Sequence, residues 1–212
     1  MLGAFITLEG IEGVGKSTAL NCIQEFLQAA GIEVVTTREP GGTSLGEMVR
    51  KWLLEGTHDE LSGELEALLM FAARSHHLES VIKPALAAGH FVVCDRFSDA
   101  TFAYQGAGRG VDLSFLQTLK QAVQGSLEPD LTFLLDAPVN VGLERISGRP
   151  ADHFEREAEP FFERIRSHYL RLAKENKDRI VIIDANRSRK TIQRDLERYL
   201  RRFLKSYSAA DA

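Results

Sequence analysis

The most constraining feature of this chain is a glycine-rich loop close to its N-terminus. Residues 10–17 match the pattern G-x-x-x-x-G-K-[ST]. The loop follows a short apolar run at residues 4–9 and precedes a helical period carried by Leu20, Ile23 and Leu27. Because glycine makes up about 7% of typical sequences, a chance match in such a chain has odds on the order of one in a hundred. The pattern therefore predicts a strand, a tight loop and a helix in direct succession.

Short runs rich in β-branched or aromatic residues alternate with helical periods along the whole chain. We predict strands at residues 4–9, 33–37, 91–94, 131–135 and 179–183. This alternation is typical of a parallel sheet with helices on both faces and right-handed crossovers. The expected fold is therefore α/β with three layers. Only residues 38–46 and 147–159 lack a regular pattern.

Composition indicates one domain and excludes several classes of partner. The 212 residues, 44% of them hydrophobic, suffice for a single core, so we expect one domain over residues 1–212. A net charge of -4 and a sequence pI of 5.9 provide no basic field for nucleic acid or an anionic membrane.

Without a signal sequence or an apolar run of about 18 residues, the protein is expected to be cytoplasmic. Cys22 and Cys94 lack metal-ligand spacing and are predicted to be buried free thiols.

The loop has the chemistry of a site for a nucleoside triphosphate and its Mg²⁺. Glycines let successive backbone N–H groups converge on phosphate oxygens, and the following helix presents the positive end of its dipole. Lys16 adds a positive charge, and the Ser17 hydroxyl is the expected Mg²⁺ ligand. A plain turn is the alternative, which the flanking strand and helix disfavour. The triphosphate site is assigned to nine residues, Gly10, Ile11, Glu12, Gly13, Val14, Gly15, Lys16, Ser17 and Thr18.

A second pattern distinguishes among the classes of protein that use such a loop. A GTPase switch should carry Asn-Lys-x-Asp, and the nearest match, at residues 176–178, is one residue short. A small-molecule kinase instead needs positive groups that hold an acceptor anion. Asp95 and Arg96 follow the predicted strand at 91–94, at the edge where open α/β sheets bind ligands. Asp95 can hold Mg²⁺ through water and Arg96 can bind a phosphate, and a plain ion pair between them is the alternative.

Several motifs together resemble the thymidylate kinase family over nearly the whole chain. Beyond the loop they are Thr-Arg-Glu-Pro-Gly-Gly-Thr at 37–43, Phe-Ala-Ala-Arg at 71–74, Asp-Arg-Phe at 95–97, Ala-Tyr-Gln at 103–105 and Leu-Asp at 135–136, before Arg145 and Arg149. The resemblance implies a homodimeric, Mg²⁺-dependent enzyme that transfers the γ-phosphate of ATP to dTMP. Its fold would be a five-stranded parallel sheet with a short lid at about residues 147–159. Two alternatives stay open: a kinase for another nucleoside monophosphate or a deoxynucleoside, and a nucleotide-dependent switch.

The resemblance also assigns the base and sugar of the acceptor to particular residues. These are Phe71, Arg74, Thr101, Tyr104 and Gln105. Phe71 would stack on the thymine ring and Arg74 would contact a base carbonyl, which suits the flat face and acceptor edge of thymine. Phe71 has an alternative role, because it belongs to an apolar helical stripe at residues 65–72 in which a phenylalanine is ordinarily part of the core.

The expected mechanism needs no general base, because a phosphate monoester with a second pKa of about 6 is mostly dianionic at neutral pH. Positioning and charge then supply catalysis, with Lys16 and Mg²⁺ at the donor phosphates and Arg96 and Arg38 at the acceptor phosphate. Arg149 would close over the transferred group from the lid and complete the predicted catalytic residues. Glu9 is expected either to join the Mg²⁺ shell or to lie just outside it.

Three positions depart from the common family pattern. Ala100 replaces a frequent serine, His153 occupies a lid position where arginine is usual, and the loop carries Glu12 but no arginine. The last feature resembles a bacterial subgroup whose lid supplies the positive charge. The resemblance implies that Glu12 accepts a hydrogen bond from the 3'-hydroxyl of the acceptor, and an ion pair with an arginine is the alternative.

Overall fold

A computed structural model describes residues 3–55, 61–148 and 152–210. Its five-stranded sheet is formed by Phe5–Glu9 (β1), Val34–Arg38 (β2), Phe91–Asp95 (β3), Leu131–Asp136 (β4) and Ile180–Asp184 (β5). The strand order is β2-β3-β1-β4-β5, and all neighbouring strands are parallel. The predicted parallel sheet is confirmed, and each predicted strand boundary lies within one residue of the observed one.

Helices connect the strands. They are Lys16–Ala29 (α1), Ser44–Glu55 (α2), Gly63–His77 (α3), Lys83–Ala87 (α4), Ser98–Thr101 (α5), Leu113–Gln124 (α6), Val139–Ile146 (α7), Glu159–Glu175 (α8) and Arg189–Ala210 (α9). Two π-helical turns, Leu78–Ile82 and Phe102–Gly108, continue α3 and α5. Such turns are frequent at functional sites, and the second carries Tyr104 and Gln105.

Apolar clusters lie on both faces of the sheet, because successive side chains of a strand point to opposite sides. On one face, Ile6 of β1 belongs to a cluster with Ile23 of α1 and Phe162 of α8. On the other face, Phe5 belongs to a cluster with Leu78, which follows α3. Every residue of β1 is buried, as expected for a central strand of a parallel sheet. The three-layer α/β/α architecture is therefore confirmed.

The carboxyl ends of the strands form a polar edge. They carry Glu9, Arg38, Asp95, Asp136 and Asp184, with Arg38 paired in register with Asp95 and Asp136 with Asp184. Four strands therefore end one residue later than the apolar pattern predicts, because these polar residues still pair with the neighbouring strand. Open parallel sheets bind their ligands at this edge.

The region predicted to be irregular at residues 38–46 is shorter than expected, since α2 already begins at Ser44. Its loop contains a cis peptide between Glu39 and Pro40. Gly42 has a φ of 72°, and a Cβ there would lie 2.4 Å from Thr37 Oγ1. Only glycine therefore allows the loop to pack this closely on β2.

The second irregular region, at residues 147–159, contains a short 3₁₀ turn at Phe154–Arg156 before α8 begins at Glu159. Arg149, the predicted catalytic residue of the lid, lies outside the described residues. Within the described ranges, no helix combines the length and apolar character needed to cross a bilayer.

Candidate active site

A cavity of about 470 Å³ opens at the carboxyl edge of the sheet. Lys16 and Ser17 of the glycine-rich loop line it, together with Arg96 at the end of β3. Tyr104 and Gln105 of the π-helical turn line it from the side of α5. Its size suits a small-molecule ligand. The structure thus places the predicted phosphate loop beside three residues predicted to bind the acceptor.

Glycine backbone conformations shape the loop. Gly10, Gly13 and Gly15 have φ values of 134°, 72° and 93°, which residues with a side chain rarely adopt. A Cβ on Gly13 would also lie only 2.0 Å from the carbonyl oxygen of Gly142 in α7. The motif glycines are therefore required both for the turn and for its packing.

The Lys16 side chain lies across this loop. Its Nζ donates hydrogen bonds to the carbonyl oxygens of Gly10, at 3.1 Å, and Ile11, at 2.8 Å. Burial, followed by repulsion from Arg96, lowers the pKa of Lys16 to about 8. A phosphate anion at the loop would favour the charged ammonium form and offset this shift.

Asp95 and Ser17 form the place that best fits a metal ion. Both line the cavity, and Asp95 Oδ1 is a buried carboxylate oxygen without a hydrogen-bond partner in the described structure. Mg²⁺ is commonly held by one or two protein oxygens together with phosphates and water. The described residues contain no cluster of three or more acids, histidines or cysteines suited to a metal.

Glu9 lies apart from the cavity lining and is almost fully buried. One carboxylate oxygen accepts a hydrogen bond from the Phe97 backbone N–H at 2.8 Å, and the other accepts one from the Tyr169 hydroxyl at 2.7 Å. Burial, followed by repulsion from Asp99, raises the pKa of Glu9 to about 8. Both oxygens thus have protein partners, and a role in the Mg²⁺ shell stays a prediction.

Arg96 joins the loop to the turn Phe102–Gly108 across the cavity. Its Nη2 donates to Glu12 Oε1 at 2.8 Å, and its guanidinium lies 4.6 Å from the Tyr104 ring centre. The Tyr104 hydroxyl also donates to Glu12, at 2.7 Å. Arg96 thus pairs with Glu12 rather than with Asp95, and its φ of 70° turns the chain sharply after β3. The arginine ion pair considered for Glu12 is present, while the contact with a sugar hydroxyl stays a prediction.

Further arginines lie in the cavity lining, which also contains acids such as Glu12 and Asp95. Arg38, Arg50 and Arg145 all line the cavity. Arg38 is half-exposed and pairs with Glu47 at 2.8 Å. Burial, followed by repulsion from Arg38 and Arg96, lowers the pKa of Arg50. Several guanidinium groups that repel one another favour the binding of an anion among them.

Arg74 belongs to a buried polar network behind the cavity. Its Nε donates to Glu39 Oε2 at 2.6 Å, and its Nη2 donates to Thr101 Oγ1 at 3.1 Å. His77 lies 2.9 Å from the other Glu39 oxygen and 2.7 Å from Thr37 Oγ1. Arg74 Nη1 is buried without a partner in the described structure, and neither Arg74 nor Thr101 lines the cavity. Their contacts with a base stay predictions.

Phe71 lies in the apolar core of the α3 region. It is 2% exposed and packs in a cluster with Ala67 and Leu116, and the Arg74 guanidinium lies 4.7 Å from its ring. Phe71 does not line the cavity, whereas the preceding residue, Met70, does. This placement agrees with the core interpretation of the helical stripe. Stacking of Phe71 on a base stays a prediction.

Sequence reasoning missed Met70, Arg50 and the buried acid Glu66. Met70 precedes Arg74 by four residues and therefore shares its helix face, a signal that could have identified it. Glu66 and Arg50 carry no local signal, because acids and arginines on helices are ordinarily solvated. Their positions on the cavity or behind it become visible only when the helices are packed.

The chain matches known proteins over most of its length. The thymidylate kinase family model matches residues 8–196. A thymidylate kinase of Pseudomonas putida is 50% identical over 94% of this chain and 96% of its own, and one of Nitrosomonas europaea is 56% identical over 87% and 86%. The crystal structure of thymidylate kinase from Ehrlichia chaffeensis superposes with a TM-score of 0.76 at 33% identity, covering 94% of this chain and 99% of that one. The phosphate loop, the contacts of Arg96 with Glu12 and Tyr104, and these relatives agree, and the chain belongs to the thymidylate kinase family.

Proposed function

We propose that this protein transfers the γ-phosphate of ATP to dTMP and releases dTDP and ADP. The observation that carries the proposal is the position of Arg96. It lines the same cavity as Lys16, pairs with Glu12 of the phosphate loop and stacks on Tyr104 of the opposite wall. One cation thus lies between the donor and acceptor sides, where a phosphoryl group in transfer gains negative charge.

The chain supplies position and charge rather than covalent chemistry. Lys16 binds the donor phosphates, and Arg96 binds the acceptor phosphate with Arg38 and Arg50 beside it. These groups hold two polyanions in line that would otherwise repel each other. The family resemblance alone assigns Arg149 to the transferred group.

Ser17 and Asp95 would hold the Mg²⁺ that accompanies ATP. When bound there, Mg²⁺ would supply positive charge that offsets the negative charge developing during transfer. The unpaired Asp95 oxygen supports this assignment, because a buried carboxylate oxygen is costly unless a donor or a cation meets it.

The acceptor base and sugar are assigned to the wall that faces the loop. Tyr104 and Gln105 reach the cavity directly, whereas Arg74, Thr101 and Phe71 lie behind it. Arg74 Nη1 is the donor that a base carbonyl could satisfy, because it lacks a partner among the described residues. In this arrangement the Phe71 ring supports the Arg74 guanidinium by a cation–π contact. Stacking of Phe71 on a base would require the wall to move.

We also propose that the protein works as a cytoplasmic homodimer. Helices α2, α3 and α6 carry exposed large apolar side chains, namely Leu45, Met48, Leu65, Leu68 and Leu113. Helix α3 packs against both α2 and α6, so these side chains lie on neighbouring helices, and monomeric proteins rarely leave large apolar surfaces open to water. Sedimentation velocity tests the proposal, and Leu65→Glu with Leu68→Glu should shift the protein to monomer.

An acceptor panel tests the proposed activity directly. Purified protein with ATP and Mg²⁺ is offered dTMP, dUMP, dCMP, dGMP and thymidine, and ADP release is followed. We expect ADP release to depend on dTMP. Faster turnover with another monophosphate or with thymidine would reassign the acceptor. ADP release that is indifferent to every acceptor would instead favour a switch or a weak ATPase.

A further inference from the structure

A buried carboxylate lies directly behind the wall that faces the phosphate loop. Glu66 of α3 is fully buried, and its Oε2 accepts a hydrogen bond from the Gln105 side-chain amide at 2.9 Å. Its Oε1 accepts one from Arg109 Nε at 3.1 Å. Gln105 itself lines the cavity. Glu66 therefore contacts a cavity residue without lining the cavity.

Arg109 connects this carboxylate to the predicted lid region at residues 147–159. Its Nη1 is ion-paired with Glu157, and its Nη2 lies 3.3 Å from His153 Nε2. Its guanidinium is also 5.0 Å from the ring centre of Phe161 in α8. These contacts hold Arg109 on several sides, so the Nε–H that faces Glu66 has a defined direction.

The packing of α3 admits Arg109 at this place. A Cβ on Gly63, the first residue of α3, would lie 2.8 Å from Arg109 Cβ and 2.6 Å from Val111 Cγ2. The start of α3 is therefore close to the chain at residues 109–111. This close approach brings the guanidinium to Glu66, one turn further along the helix.

The pairing determines which end of the Gln105 amide can meet a ligand. A guanidinium is only a donor, so the Glu66 oxygen that meets Arg109 Nε accepts. Burial raises the pKa of Glu66, and the hydrogen bond from Gln105 and the charge of Arg109 oppose that shift by favouring the ionised carboxylate, which is only an acceptor. The amide nitrogen of Gln105 must then face Glu66. The amide oxygen is the remaining polar atom of the side chain, so Gln105 offers an acceptor to the cavity.

We propose that Glu66 is a positioning residue that orients the Gln105 amide, with Arg109 holding Glu66 in place, and thereby selects acceptor bases that carry an N–H donor. The proposal rests on the proposed function and deepens it. Thymine and uracil present a donor at N3, whereas cytosine presents an acceptor there. An oxygen held toward N3 binds the first two bases and repels the third.

The test is the acceptor selectivity of Glu66→Gln. A glutamine at this position has the same shape but can donate as well as accept, so the Gln105 amide is free to turn over. We measure kcat and KM for dTMP, dUMP and dCMP at saturating ATP. The ratio of kcat/KM for dTMP to that for dCMP should fall by about tenfold or more, mainly through the KM for dTMP, with the KM for ATP unchanged.

Glu64→Gln is the matched control, because Glu64 lies on the same helix but is exposed. It should keep the selectivity of the wild type. A Glu66→Gln enzyme with the wild-type ratio overturns the inference. So does an equal loss of kcat/KM for all three acceptors, which is what a purely structural role predicts.

Two further variants connect the effect to the Gln105 amide. In a Gln105→Leu background, Glu66→Gln should leave the dTMP to dCMP ratio unchanged, and an undiminished effect there overturns the inference. Arg109→Met keeps Glu66 but removes its partner, and it should lower the ratio in the same direction even if Glu66→Gln does not fold. A wild type that ignores dTMP overturns the proposed function, whereas unchanged selectivity in the variants overturns only this inference.

Discussion

The phosphate loop at residues 10–18 and the wall to which we assign the acceptor base, called the base-side wall and formed by α3 and the turn Phe102–Gly108, are built in different ways. The loop is contiguous, and glycine conformations and backbone groups give it its shape. The base-side wall depends on side chains that meet across 35 to 39 residues of sequence, as in the Arg74–Glu39 and Gln105–Glu66 pairs.

The two regions differ in the groups that must find partners: backbone N–H groups in the loop, and buried charged side chains in the wall. Backbone N–H groups in a glycine loop are already directed at a ligand, so an anion can be bound with little rearrangement. Charged side chains buried in the base-side wall must instead satisfy one another, since an unpaired buried charge costs several kcal/mol. Substitutions in the loop should therefore affect chemistry first, and substitutions in the wall should affect folding as well.

The largest expected effect is on stability and comes from Arg74→Met. Breaking one side of a buried ion pair leaves Glu39 without its main partner, which costs about 3–5 kcal/mol in the free energy of unfolding. Urea denaturation measures this loss, with Arg194→Met, an exposed arginine on α9, as the control. We also expect a higher KM for dTMP and an unchanged KM for ATP. Unfolding like that of the wild type would show that the wall does not depend on its buried charges.

Lys16→Met should have the opposite signature. Loss of one charge at the transferred group is expected to lower kcat by about 10²–10³-fold, because the interaction is strongest in the transition state. The midpoint of urea unfolding should stay close to that of the wild type, as for the exposed control Lys174→Met. Near-normal turnover in Lys16→Met would remove the loop lysine from the mechanism.

Glu9 provides a third test, through the pH dependence of stability. Its pKa rises from 4.5 to about 8 on folding, so the folded state binds more protons than the unfolded state between those pH values. Stability should therefore decrease as pH rises, by up to about 2.7 kcal/mol between pH 5 and 7. Glu9→Gln should remove this slope in urea titrations, whereas Glu175→Gln should retain it. Equal slopes in wild type and Glu9→Gln would mean that Glu9 is ionised in the folded protein.

The smallest expected effect concerns the point where the two regions meet. Glu12 pairs with Arg96 and Tyr104, and a sugar 3'-hydroxyl would be a further donor to the same carboxylate. The 3'-deoxy analogue of dTMP should lose about 1–3 kcal/mol in kcat/KM, and Glu12→Gln should reduce that difference. The measurement compares both acceptors on both enzymes. If wild type handles the two acceptors equally well, the role of Glu12 is the ion pair alone.

The fold was largely predictable because strand and helix periods are local properties. All five strands were identified, and their later ends at Arg38, Asp95, Asp136 and Asp184 reflect pairing that hydropathy does not record. The two π-helical turns were not predicted, since an extra residue in a helical turn leaves no clear trace in the apolar pattern.

Within the site too, local motifs were easier to predict than the direction in which a helix side chain points. The loop, Arg96 and Tyr104 were identified and lie together, whereas Phe71 was assigned to a base and occupies the core beside Met70. Neighbouring positions on a helix differ by about 100° in direction. A shift of one residue along the helix therefore decides whether a side chain faces the cavity or the core.

By itself, the sequence determined the strand–loop–helix unit, the parallel sheet, the family and the cations available for phosphate. Those features depend on residues close together in the chain, whose periodicity and glycines restrict the backbone directly. The tertiary structure alone decided that Arg96 pairs with Glu12, that Met70 rather than Phe71 lines the cavity, and that Glu66 lies behind Gln105. These contacts join distant segments, and a side chain acquires its partner only when packing has brought the helices and the sheet edge together.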